Sequence, residues 1–151
     1  MTATEGSTIH ASCVLVGRTA VLIRGPSGSG KSRLVSALLD AAASGKIPFA
    51  RLVADDRVRL TAANGRLIAA APSPLAGKIE IHGKGIREVA HEPLALVGLV
   101  IDIGASDSAR MPEAAAREVE ISGVKLSRLP VESVERALTA IFAEISAVTD
   151  A

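Results

Sequence analysis

Residues Ala20-Val21-Leu22-Ile23-Arg24-Gly25-Pro26-Ser27-Gly28-Ser29-Gly30-Lys31-Ser32 decide the fold. A short apolar run enters a glycine-rich loop, and Leu34, Val35, Leu38, Leu39 and Ala42 then recur at the spacing of one apolar helical face. The order is strand, loop, helix. Residues 25–32 satisfy G-x-x-x-x-G-K-[ST] in full, in the strand and helix context a phosphate loop requires. Glycines let backbone N–H groups converge on phosphate oxygens, and the helix N-terminus adds its positive end. Lys31 supplies charge for the outer phosphates, and Ser32 has the hydroxyl that ligates Mg²⁺ in such loops. The expected nucleotide cradle is Gly25, Pro26, Ser27, Gly28, Ser29, Gly30, Lys31 and Ser32. A helix-capping glycine turn is the plainer alternative, and the complete pattern in context argues against it.

Upstream, 12–17 and 20–24 read as two strands of a hairpin, interrupted by Arg18-Thr19. Downstream, Ser44-Gly45 ends the helix. Residues 52–54 form an apolar strand that runs directly into Asp55-Asp56. Asn64-Gly65, between 57–61 and 66–70, is a type I′ hairpin signal, because both turn positions tolerate positive φ. Pro72 and Pro74 mark a loop, after which 78–82 alternates, with Lys78, Glu80 and His82 on one face and Ile79 and Ile81 on the other. Residues 94–103 read as a buried strand, 104–112 as a polar loop, and 118–121 and 124–129 as shorter strands. Val134, Leu138, Ile141, Phe142, Ile145 and Val148 predict an amphipathic helix after Pro130. The later half is strand-rich and does not alternate with helices. The expected class is therefore α/β: a P-loop nucleotide-binding core with a mixed sheet, added β-hairpins and a C-terminal helix.

At 151 residues the chain fits one domain, 1–151. Hydrophobic residues make up 48%, yet the only aromatics are Phe49 and Phe142, so the core must be aliphatic and serial base stacking is excluded. Lys and Arg total 17 against 16 Asp and Glu, which leaves no basic footprint for nucleic acid. Cys13 stands alone, so no disulfide forms within the chain and a reducing compartment fits. Residues 1–6 lack the basic flank and apolar core of an export signal. No apolar run reaches the roughly 18 residues of a membrane span. A cytoplasmic protein is expected.

Phosphoryl transfer needs a carboxylate at a strand end to hold Mg²⁺ or its waters, and a second group to orient the nucleophile. Asp55-Asp56 offers both. Successive residues leaving a strand point to opposite sides, so one is expected to face the metal and the other the incoming acceptor. An ordinary turn would also carry such a pair. Glu80, between two isoleucines, fits a solvated edge-strand face, His10 a chain terminus and His82 an exposed strand position.

In this order, His10, the GPSGSGKS loop, Arg51-Leu52-Val53-Ala54-Asp55-Asp56-Arg57 and Glu80-Ile81-His82-Gly83-Lys84-Gly85-Ile86 resemble the C-terminal catalytic domain of bacterial HPr kinase/phosphorylase. The likeness spans residue 8 to about 112. The chain looks like the short form found in alphaproteobacteria. The resemblance implies an ATP- and Mg²⁺-dependent protein-serine kinase that phosphorylates HPr, the phosphocarrier of the sugar phosphotransferase system, or an HPr-like protein. By the same likeness Lys31 would grip the transferred phosphate, Ser32 with Glu80 would hold Mg²⁺, and Asp55 would take the serine proton. His10 would support Asp55, Asp56 would stand on the metal side, and Arg110 would match a family arginine in an Arg-Leu-Pro context. A homo-oligomer, a hexamer in the family, is implied as well. The sequence departs from the family in having His82 where Arg is usual and Arg33 where an acidic residue is usual. The C-terminal segment associated with dephosphorylation is not recognisable, so little or no phosphorylase activity is expected. A small-molecule kinase or ATPase and a non-catalytic ATP-sensing module are the competing readings.

Overall fold

The computed structural model describes residues 8–81, 83–104 and 117–149. Strand β1 (Thr8–His10) precedes the expected hairpin of β2 (Ser12–Val16) and β3 (Thr19–Arg24), which pair antiparallel from Ser12 opposite Ile23 to Val16 opposite Thr19. Helix α1 (Lys31–Ala43) follows the glycine loop and buries Leu34, Val35, Leu38 and Ala41, with Leu39 and Ala42 partly covered. It ends at Ser44, as the Ser-Gly signal predicts. Strand β4 (Ala50–Ala54) turns at Asp55 and Asp56 into β5 (Arg57–Ala63), which forms a hairpin with β6 (Arg66–Ala70). Asn64 and Gly65, at φ 52° and 75°, make the turn.

Strands β7 (Lys78–Ile81) and β8 (Gly85–Glu88) form a separate two-stranded sheet, with Glu80 opposite Ile86. The long strand β9 (Ala95–Ile103), then β10 (Glu118–Ile121) and β11 (Val124–Val131), lead to α2 (Val134–Thr149). The main sheet runs β1-β5-β6-β9-β3-β2-β4, with β11 also on β9 and β10 on β11. Strand β9 lies parallel to β3 and β11 and antiparallel to β6. This mixed order matches the expectation from the strand-rich second half.

Two aliphatic clusters divide the interior. One, including Val14, Val21, Ile23, Leu52, Leu99 and Ile101, packs under the helices against Leu34, Leu38, Val134 and Ile141. The other, including Cys13, Leu22, Val53, Val58, Leu67 and Val100, fills the opposite side of the sheet. Alternation along β2 sends Cys13 to one cluster and Val14 to the other. The register shifts along β9, where Ala20 faces Val97 and Val21 faces Leu99. Gly98 takes the bulge position, where a Cβ would lie 2.7 Å from the Thr19 Cγ2.

Three expectations change in detail. Strands β1 and β8 carry no sequence signal, and the strand expected over 124–129 runs on through Pro130, opposite Asp102, to Val131, so the proline does not open the helix that follows it. Proline is tolerated there because, past Ser127, the described chain puts no strand on the other edge of β11. Ser133 caps α2 instead: its Oγ accepts the Arg136 N–H at 3.2 Å. The polar loop expected over 104–112, apart from Gly104, and the residues His82 and Arg110 lie outside the described residues, as do the side chains of Ile145 and Val148. Among the described residues no helix is long and apolar enough to cross a membrane.

Candidate active site

The loop between β3 and α1 is built for close backbone approach. A Cβ on Gly25 would lie 2.5 Å from the Ser29 Oγ and 2.9 Å from the Ile103 carbonyl oxygen. Gly30 adopts φ 103°, and a Cβ there would meet Val134 Cγ2 at 2.5 Å, so the last loop residue is pressed against α2. The Ser29 N–H donates to the Pro26 carbonyl at 3.0 Å and closes a tight turn. The first turn of α1 then presents its unpaired N–H groups to the loop. Lys31 is buried, and its Nζ donates to the loop carbonyls of Gly25 at 2.7 Å and Pro26 at 3.2 Å. The ammonium thus spans the inside of the loop. The Ser29 Oγ is buried with no hydrogen-bond partner.

Opposite the loop stands the β4–β5 corner. Asp55 is 4% exposed, and three donors converge on its carboxylate. The hydroxyls of Ser12 and Ser32 donate to Oδ1 at 2.8 and 2.9 Å, and the Glu80 N–H donates to Oδ2 at 3.2 Å. Asp56 differs in every respect. Its backbone is left-handed at φ 70°, its side chain is 58% exposed, and its Oδ1 lies 3.5 Å from His10 Nδ1. The two carboxylates therefore leave the corner on opposite sides, as the sequence reading expects. Asp55 turns inward onto Ser32, and Asp56 faces outward beside His10.

A cavity of about 780 Å³ joins these parts. Its walls are the loop from Ser27 to Ser32, Arg33 and Ser36 of α1, and His10, Asp56 and Glu80. Of the residues singled out from the sequence, Gly25 and Pro26 lie behind this wall and act through their carbonyls on Lys31. Asp55 sits beneath it, and Arg110 falls outside the described residues. Glu80, placed on a solvated strand face, is exposed and borders the cavity. Arg33, also on the wall, lies 3.6 Å from Glu135 of α2.

Two features escaped the sequence reading. Ser12 is fully buried at the head of β2 and contacts both aspartates, since the Asp56 N–H also donates to its Oγ at 3.2 Å. Its only trace in the sequence is a hydroxyl opening an apolar run. The other is an ion cluster under the loop: Arg24 grips Asp102 through both carboxylate oxygens, at 2.7 and 2.8 Å, and Arg128 Nε adds a bond of 2.6 Å. Burial pushes the Asp102 carboxyl upward, but the hydrogen bonds and charges of Arg24 and Arg128 outweigh it and hold the group below the ordinary carboxylate range. This ties the strand that delivers Gly25 to β9 and β11.

The order and composition of these parts coincide with a known family. The HPr Serine kinase C-terminal domain matches residues 2–92. This chain belongs to that family. Among solved structures, the chain is similar to the Hpr(Ser) kinase/phosphatase from Coxiella burnetii, with a TM-score of 0.76 and 26% identity. The likeness covers 95% of this chain and 97% of that one. Comparison with curated proteins gives no match. The HPr kinase family match covers the glycine loop, the aspartate corner and β7, so all the described cavity walls fall within it. The matched structure shares the mixed sheet and the closing helix as well.

Proposed function

We propose that this domain is a protein-serine kinase that transfers the γ-phosphoryl group of ATP to a serine of HPr or an HPr-like phosphocarrier. The observation that carries this reading is the divergence of Asp55 and Asp56 at one corner, one carboxylate on Ser32 and the other in the open cavity beside His10. Phosphoryl transfer asks for two chemically different sides, a cradle for the donor phosphates and a group that aligns the acceptor hydroxyl.

On the donor side the residues fit a triphosphate. The unpartnered Ser29 Oγ, the N–H groups opening α1 and the Lys31 ammonium, which the loop's own carbonyls hold in place, all serve anionic oxygens. Ser32 and Asp55, with Glu80 at the rim, are hard oxygen donors suited to Mg²⁺. Among the described residues no three His, Cys, Asp or Glu side chains form a metal cage, which agrees with an ion that completes its shell from phosphate and water oxygens. When bound, Mg²⁺ would neutralise charge developing on the phosphate oxygens. Asp55 orients the Ser32 hydroxyl toward that role.

On the acceptor side the geometry favours Asp56. It is accessible and has an imidazole for a neighbour, so it can accept the hydrogen bond of an incoming serine hydroxyl and take its proton as transfer proceeds. The roles implied by resemblance, Asp55 toward the acceptor and Asp56 toward the metal, are thus exchanged in this proposal. A macromolecular acceptor is favoured by Ile86. It stands opposite Glu80 on the same face of the β7–β8 sheet and is 71% exposed, an apolar contact point beside the cavity.

The test is incubation with ATP, Mg²⁺ and HPr-type proteins, read by mass spectrometry of the acceptor. Phosphoserine on HPr is the expected product. Turnover indifferent to protein acceptors would instead make the domain an ATPase or small-molecule kinase, and tight nucleotide binding with no product would make it a sensor. Hexamer formation, implied by the family, is checked by light scattering.

A further inference from the structure

We infer that Ser12 is a positioning residue that sets the opposed directions of Asp55 and Asp56. The inference rests on the kinase reading above. Among the described residues only Ser12, Lys31 and Asp55 are both polar and buried, and all three belong to this site. A buried hydroxyl is costly unless paired, and the β2–β3 ladder needs only the backbone at that position, as at its neighbours Cys13 and Val14. The Ser12 side chain instead spends both halves of its hydroxyl on the corner, donating to Asp55 Oδ1 and accepting from the Asp56 N–H.

The two bonds are unequal in what they alone provide. Asp55 has two further donors, Ser32 and the Glu80 N–H, so its carboxylate stays inward without Ser12. For the Asp56 N–H, Ser12 is the acceptor that the structure provides. Asp56 also holds a left-handed backbone, φ 70°, a conformation uncommon outside glycine that aspartate tolerates better than most residues and that hydrogen bonds at both backbone groups fix here. Its carbonyl is pinned by the Ala11 N–H at 3.2 Å, one residue before Ser12 on the same chain segment. Ser12 and Ala11 therefore grip Asp56 at both its N–H and its carbonyl. That grip turns the second carboxylate out toward His10 while the first stays on Ser32. Loss of the hydroxyl frees the corner to relax, and Asp56 leaves its place beside His10.

The experiment compares Ser12→Val with Ser12→Thr, which have nearly the same volume and differ in the hydroxyl. Ser12→Val is expected to lower kcat for HPr phosphorylation at least tenfold while the KM for MgATP stays within about threefold, and Ser12→Thr to recover most of that loss. By NMR, the Asp56 amide should exchange with solvent at least tenfold faster in Ser12→Val, with the Leu52 and Val53 amides unchanged. A merely structural role would lower the melting temperature without splitting kcat from KM in this way. Ser12→Cys, closer to serine in size and a weak donor, takes the place of Ser12→Val if that variant does not fold. Wild-type turnover in Ser12→Val, a parallel loss of MgATP affinity and kcat, or an unchanged Asp56 amide would overturn the inference. Absence of HPr phosphorylation by the wild-type protein would overturn the kinase reading alone, with amide exchange still deciding whether Ser12 holds the corner.

Discussion

The Ser32 hydroxyl donates a 2.9 Å hydrogen bond to Oδ1 of Asp55 and so joins the first turn of α1 to the end of β4. These elements meet only in the folded protein, and the bond aligns the glycine loop with the acidic corner. Because Asp55 is buried and receives three hydrogen bonds, its carboxylate is part of the frame of the site.

Asp55→Asn replaces a carboxylate by an amide that accepts through one oxygen only. The three hydrogen bonds that Asp55 accepts lie within the protein, so the effect on nucleotide comes from the charge lost beside Ser32, and MgATP binding should weaken by roughly tenfold or more. Calorimetric titration with MgATP, and with ATP in EDTA, is expected to show the loss with the metal present and little difference without it. Equal affinities of variant and wild type for MgATP would remove Asp55 from the metal side.

His10 is exposed and 3.5 Å from Asp56, a distance at which it orients the carboxylate without anchoring the fold. His10→Ala should reduce kcat with HPr by roughly tenfold, leaving MgATP affinity and melting temperature close to wild type. Steady-state kinetics at saturating acceptor measure this. A main effect on nucleotide affinity would contradict it.

Asp102 links Arg24, the residue before the glycine loop, to Arg128. Asp102→Asn removes the carboxylate charge that Arg24 and Arg128 share and should cost about 2 kcal/mol, seen as a fall of roughly 4–8 °C in melting temperature at neutral pH. The carboxyl is held below its ordinary pKa, so its contribution is complete above the unfolded-state value, about 3.9, and is lost as pH falls through the lower folded-state value. Melting curves of the two proteins should therefore converge as the pH drops below about 4. A constant gap down to pH 2 would show that the charge of Asp102 is not the source of the stability.

Cys13 is fully buried, and burial pushes its thiol up to about 12. The native protein should resist alkylating reagents at pH 8 and react only once unfolded, as followed by intact mass. Rapid labelling of the folded protein would show that the second aliphatic cluster opens.

The elements with local signals were legible in the sequence. The glycine loop, the α1 face built on Leu34, Val35 and Leu38, and the Asn64-Gly65 turn each depend on neighbours within a few residues. Strand β1 carries no such signal, because Thr8 and His10 are extended by pairing with Arg59 and Arg57, far along the chain. β8 is fully exposed, and the apolar pattern could not mark it. At the site, residue types and the opposed exits of Asp55 and Asp56 could be read, but not which aspartate faces which way. That depends on the left-handed backbone of Asp56 and the Ser12 hydroxyl beneath it, both products of tertiary packing.

The most direct test of the two-sided site is a paired measurement on Asp56→Asn: transfer of the ATP γ-phosphoryl group to the HPr serine, and MgATP affinity by calorimetry. Loss of transfer by about a hundredfold or more, with MgATP affinity within about threefold of wild type, is the predicted result. Full transfer by the variant, or loss of MgATP binding in step with transfer, would contradict the division of roles between Asp55 and Asp56.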